Sequence, residues 1–236
     1  MPAYDLEILA ALQSEPVSIP EVIGVMQRID ALCIDGDGLK WFNRLYLEVT
    51  QAVADRVGAG GFEDPAWMAQ LDIQFAGLYF DALRAALSGG NAAGCWRALF
   101  DRRQQTAVAR IQFALAGVNA HINHDLPLAI LRTYSAPQHG TSHYRDYTAI
   151  NSTLQTLIDR AKVELHVRLL GDFLPPVSPL EDTLAAFSMV AARESAWNNS
   201  EVLCALQNLP PLYARTLDAL DGMTSVIGKT LLVPVI

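Results

Sequence analysis

The sequence predicts an all-α fold, a single-domain bundle of about seven or eight helices around a central buried helix. Three observations carry that prediction. Apolar residues recur three and four positions apart along most of the chain, and no stretch alternates as a strand would. Ser, Asp and Pro stand in helix-start positions ahead of several of these stretches. Residues 110–132, RIQFALAGVNAHINHDLPLAILR, are apolar around most of the helical circumference. One stripe runs through Ile111, Leu115, Val118, Ile122, Leu126 and Ala129, and Phe113, Ala114, Gly117, Ala120, Leu128 and Leu131 widen it. A helix with so little polar surface must be surrounded by other helices. His121, His124 and Asp125 interrupt it, so it is no membrane span.

The other elements follow in order. Tyr4–Leu12 forms a short helix or arm. Ser18-Ile-Pro-Glu21 has the form of a capping box and opens a helix through Val22, Met26, Ile29 and Leu32. Asp35-Gly-Asp-Gly38 is a turn, too short for a calcium loop. The next helix covers about Leu39–Val57 and ends at the glycines of 58–61. Asp64-Pro65 starts another, as N-cap and first helical residue, reaching about Ser88 with Asp72, Phe75, Tyr79 and Asp81 along it. Cys95–Arg103 adds a turn or two before the central helix. Beyond Tyr134 a loop of about ten residues carries His139 and His143. A helix over about Asp146–Leu170 and a Pro-rich connection at 171–179 come next. Ser178-Pro-Leu-Glu181 is a second capping box, opening a helix that bears Arg193 and Trp197 and extends toward Leu206. Pro210-Pro211 begins a last helix to about Met223, and the apolar tail TLLVPVI docks on the core or on another subunit.

Composition narrows the function. Apolar residues make up 51% of the 236 and charged ones only 18%, which points to an oligomer interface or an apolar pocket. The net charge of −8 and the lack of a basic stripe argue against nucleic acid. Cys33, Cys95 and Cys204 are far apart and odd in number, so they read as small core residues in a reducing compartment. The segment MPAYDLEILAALQSEP has no basic region and no cleavage site, so the expected location is the cytoplasm.

The central helix holds the candidate site. His121 and Asp125 are one turn apart on one face, with His124 bordering it. Gly117 lets something approach the backbone, and Pro127 removes an N–H, which predicts a kink near Asn123. A helical His-x-x-x-Asp pair can present a nitrogen and an oxygen to zinc, iron or manganese, with His124, His139 or His143 completing the set. The same residues could instead be satisfied core groups. Trp41 and Tyr46 read as core, and Tyr79 as core or pocket. Arg193 fits either an anion clamp or a buried brace to Asp125 or Asp146. No nucleophile elbow, phosphate loop or paired Glu-x-x-His motif is present.

His124-Asp125 resembles the doublet of HD-domain phosphohydrolases, and Gly117 with His121-x-x-x-Asp125 resembles one ligand helix of the zinc-dependent phospholipase C and S1/P1 nuclease class. Both classes need histidines upstream, and none precedes His121. A resemblance covering most of the chain rests on Gly117, Asn119, His121, Asn123 and Asp125, then Asp146 and Asn151, then Arg193 and Trp197. It is to the uncharacterised bacterial family DUF 5995, and it implies a helical fold with a shared polar centre and no particular activity.

These readings converge on two expectations. The first is a small-molecule enzyme in which His121, Asp125 and Arg193 are catalytic and Asn119, Tyr79, Asp146, Asn151 and Trp197 line the substrate. A divalent metal on His121, Asp125 and His124 would make it a hydrolase or lyase. Without metal, an apolar cavity and a His–Asp pair suit a cyclase of lipid-like or secondary metabolism. The second is a helical protein that binds an apolar ligand or partner, with the same residues as braces.

Overall fold

The structure, a computed structural model, describes residues 2–157, 159–160 and 188–234. Among these residues there are helices and no strands. The helices are α1 (Asp5–Ala11), α2 (Ile19–Leu32), α3 (Gly38–Gly58), α4 (Pro65–Leu87), α5 (Gly94–Phe100), α6 (Arg110–Ala120), α7 (Leu126–Thr133), α8 (Ser142–Ala149), α9 (Met189–Leu206) and α10 (Pro210–Leu231). A π-helical turn, His121–Asp125, joins α6 to α7. Residues 151–157 are also helical.

Local signals set the starts. The Ser18 hydroxyl accepts the Glu21 N–H and donates to Glu21 Oε1, while Glu21 Oε2 accepts the N–H of Val17, one residue before the cap, in a variant of the capping box. Asp37 Oδ1 caps α3 at Leu39, and Asp64 Oδ1 caps α4 at Trp67 ahead of Pro65. Asp37 sits at 0% exposure because Tyr4, Gln104 and Arg103 converge on its other oxygen.

The rod from α6 through α7 is the axis of the bundle. All residues of α6 after Arg110 are buried. Its first half packs on α3, α5 and α10, and its second half on α4 and α9. The predicted kink takes a specific form: the Leu126 N–H bonds to the His121 carbonyl, five residues back, and Pro127 enters the first turn of α7. Widening one turn absorbs the missing proline N–H without breaking the rod.

Two glycines set the register between α3 and α6. A Cβ on Gly38 would lie 2.4 Å from the Phe113 ring, and one on Gly117 would lie 2.3 Å from the Phe42 ring. What approaches the backbone at Gly117 is therefore Phe42. Four residues further along both helices, Tyr46 faces His121 with ring centroids 4.4 Å apart. Gly38–Phe113, Phe42–Gly117 and Tyr46–His121 form successive rungs of two helices running in the same direction.

Several expectations change. The helix over Asp146–Leu170 is not continuous: α8 spans Ser142–Ala149, a turn follows at Ile150, and helix resumes at 151. It also starts earlier, because Thr141 caps it through the Tyr144 N–H, so His143 lies in a helix. The stretch from Ser178 to Leu206 is broken at Ser188, whose extended backbone and side chain cap α9. The predicted Pro-rich connection at 171–179, the second capping box and the helix end at Leu170 lie outside the described residues. The last helix continues past Met223 to Leu231, and the start of the tail docks on this chain's core. Leu231 and Leu232 are buried, and Gln112 Nε2 donates to the carbonyls of Leu231 and Val233.

Candidate functional site

An apolar cavity of about 60 Å³ lies beside the π-helical turn. Its walls come from α3, α4, the central rod, residues 150 and 154, and the start of α9. Among the described residues that line it, Asp72, His121 and Arg193 are the ionisable groups other than tyrosine.

His121 is 2% exposed and gripped on several sides. Its ring stacks on Phe75 with centroids 3.5 Å apart and planes 3° from parallel, and Tyr46 meets it edge-on. Nδ1 lies 3.0 Å from Asp125 Oδ2. Burial of this imidazole lowers its pKa against the opposing pull of Asp125, so the neutral form is favoured. Burial raises the Asp125 carboxyl, but the hydrogen bonds from His121 and His124 outweigh it, and the net shift is downward. A carboxylate facing a neutral imidazole assigns the proton to Nδ1, which donates to Oδ2. Nε2 is then a lone-pair acceptor, buried and without a hydrogen-bond partner among the described residues.

Asp125 is saturated. Oδ2 also accepts from Trp96 Nε1 at 2.9 Å, and Oδ1 faces His124 Nδ1 at 2.7 Å. The aspartate therefore orients two imidazoles.

Asp72 is the residue that sequence reading missed as a site group. It lies on α4 at 7% exposure with Oδ2 unpartnered among the described residues, and burial pushes its pKa up to about 7. A buried acid on the apolar face of α4 was the available signal, one turn before Phe75. Tyr46, read from sequence as core, also lines the cavity, and burial raises its phenol pKa well above the usual value.

Arg193 reaches the cavity from α9. Its Nε donates to Asn151 Oδ1 and its Nη2 to the Tyr147 carbonyl, both at 2.7 Å. The guanidinium lies 4.0 Å from the Tyr147 ring centroid, and the Tyr147 hydroxyl donates to the Arg193 carbonyl. Burial lowers its pKa. The predicted brace to Asp125 or Asp146 does not form. Asp125 is occupied as described, and Asp146 accepts the N–H groups of Glu63 and Asp64 at 2.8 and 2.7 Å, tying α8 to the start of α4. Among the described residues no carboxylate pairs with Arg193.

Other sequence candidates fall elsewhere. Asn119 donates to the Thr224 carbonyl and accepts from Asn123, holding α10 against α6. Tyr79 is fully buried, donates to Asn43 Oδ1 at 3.3 Å and stacks on Trp96, so it supports Asp125 from behind. Trp197 donates to Glu201 and packs on Tyr144 and Tyr147, away from the cavity. Asn151 acts only through Arg193. His139 sits between Glu194 and Glu201, whereas His143 faces Asp64, so the two do not join His121. His124 turns toward Cys95 and Asp221; these three offer ligand atoms within 4.8 Å of one another, and His121 and Asp125 are outside that group.

Among the described residues no helix is long and apolar enough to cross a membrane. No curated protein and no solved structure matches the chain. A family model described as a family of unknown function, DUF5995, matches residues 19–234. The match takes in the central rod, the cavity and both ends of the His–Asp cluster, and the chain belongs to that family.

Proposed function

We propose that the protein is an enzyme that moves protons on a small apolar molecule, the chemistry of a lyase or cyclase. One observation carries this reading: His121 Nε2 and Asp72 Oδ2, both buried and both without a hydrogen-bond partner among the described residues, belong to residues lining one apolar cavity. Buried polar atoms left open toward a pocket suit a ligand that completes them. His121 acts as the base. It takes a proton from a substrate carbon or hydroxyl through Nε2, and Asp125 steadies the imidazolium that results. Asp72, protonated below about pH 7, donates a proton elsewhere on the same molecule. Arg193 holds an anionic end such as a carboxylate. Such an arrangement predicts a bell-shaped pH profile. Its acid limb lies below the ordinary histidine value and its alkaline limb near 7.

The test is proton exchange. Small apolar carboxylic acids and polyenes are incubated with the protein in deuterated water, and deuterium uptake is read by mass spectrometry. Uptake by one compound class is expected, falling about 10²- to 10⁴-fold in His121→Gln. The second reading is a ligand-binding protein without chemistry, favoured by the saturation of Asp125, which a plain brace would also show. Tight binding of the same compounds without exchange or turnover would select it.

A further inference from the structure

On the far side of Asp125 from the cavity, three helical segments bring together a thiol, an imidazole and a carboxylate. Cys95 comes from the first turn of α5, His124 from the π-helical turn and Asp221 from the middle of α10. Their ligand atoms all lie within 4.8 Å of one another. Cys95 is buried, and His124 and Asp221 are partly exposed, so the group opens to solvent on one side.

Each member is held in place from behind. Asp221 accepts the N–H groups of Gly94 at 2.9 Å and Cys95 at 2.8 Å, one on each oxygen. A Cβ on Gly94 would lie 2.9 Å from Asp221 Oδ2, so the glycine permits the approach. The carboxylate also takes a hydrogen bond from the Cys95 thiol, the proton that a bound cation would displace. His124 points Nδ1 at Asp125 Oδ1, 2.7 Å away, which leaves Nε2 for an ion. A carboxylate behind a ligating imidazole is the usual support of a metal-bound histidine, fixing its tautomer and raising its basicity. Among the described residues no Lys or Arg pairs with Asp125 or Asp221, whose only cationic neighbours are imidazoles. The local charge balance therefore favours an added cation.

We propose that Cys95, His124 and Asp221 form a zinc site, with Asp125 positioning His124. Sulfur, nitrogen and oxygen from three residues match the donor set of zinc, and three protein ligands leave a fourth position for water. This site and the proton-transfer cavity share Asp125, which holds one imidazole of each, whereas Cys95 and Asp221 belong to this site alone. Binding converts the Cys95 thiol to a thiolate and takes the Nε2 proton from any charged His124, whose pKa, despite burial, is raised by Asp125 and Asp221, and both protons go to solvent; zinc is neither oxidised nor reduced.

The experiment is a cobalt(II) and zinc titration of the full-length, chelator-stripped protein. Cobalt is expected to bind one per chain, with a thiolate-to-cobalt charge-transfer band in the near ultraviolet. Cys95→Ser abolishes that band. Asp221→Asn lowers zinc affinity at least about 10-fold, and Asp125→Asn lowers it about 10- to 100-fold while keeping the band. A wild-type protein that shows no thiolate band overturns the proposal. So does a Cys95→Ser variant, helical by circular dichroism, that binds zinc as tightly as wild type. The wild-type spectrum decides alone if a variant fails to fold.

Discussion

Asp72 combines two roles that pull in opposite directions. In the proposed chemistry it is the acid, because burial keeps it protonated up to about pH 7. The same burial makes its ionised form costly. In the unfolded chain it titrates near the ordinary 3.8, so between about pH 4 and 7 the folded state holds a proton that the unfolded state has released. Stability therefore falls as pH rises through that window, by up to about 4 kcal/mol. Asp72→Asn removes the titration. Chemical denaturation at a series of pH values should show the variant gaining on wild type from pH 4 to pH 8, with the gap smallest at the acid end. A constant gap would mean that Asp72 is ionised or solvated in the folded state. Burial favours the neutral form of His121 as well, but for an imidazole that form is the deprotonated one. The two residues thus reach neutral pH as a base and an acid, which is the condition for proton relay.

At the scale of the helices, the contact between α3 and α6 runs up to the π-helical turn. The first two rungs each set a ring against a glycine, in alternating order. At the third rung both partners are rings, Tyr46 and His121, with no glycine to receive either. The backbone changes from α to π at His121 itself, the rung at which the glycine notches end. Gly117→Ala places a methyl group inside the Phe42 ring volume. Overpacking of that kind costs about 1–3 kcal/mol, beyond the small gain in helix propensity. Thermal melts should show the loss, and adding Phe42→Leu should recover part of it, since the two positions share one space. Additive losses would place the strain elsewhere.

Across the whole molecule, the C-terminal tail closes the core. Gln112 accepts the Ala109 N–H and donates to two tail carbonyls, so one side chain ties the start of α6 to the end of α10. Gln112→Ala strands these groups, at about 1–3 kcal/mol for each that stays buried. Hydrogen exchange at the last turn of α10 should accelerate in that variant ahead of the rest of the helix. The central rod and most helix starts were legible in the sequence, because periodicity and caps are local properties. Ser18 with Glu21, and Asp64 with Pro65, are such signals. The break at Ile150 and the early start at Thr141 were not, since a loop rich in Gly, Ser and Pro hides a short helix that tertiary bonds stabilise. Of the groups that line the cavity, His121 and Arg193 were singled out in the sequence as chemistry-bearing residue types on helices. Asp72 and the Cys95–Asp221 pairing depend on contacts between segments far apart in the chain, which spacing cannot reveal. Asp146 and Trp197 were drawn in by pattern, and the fold uses them to join α8 to its neighbours.

The interlock of α3 with α6 also decides how the cavity can breathe. Rings seated in glycine notches at two successive turns prevent either helix from sliding or rolling against the other, so that wall behaves as a rigid jamb. Opening must come from the facing side, where α4 and α9 meet the rod without such notches. Bound molecules should therefore slow amide exchange on α4 and α9 and leave α3 and α6 as slow as before, a one-sided door whose fixed frame is written in Gly38 and Gly117.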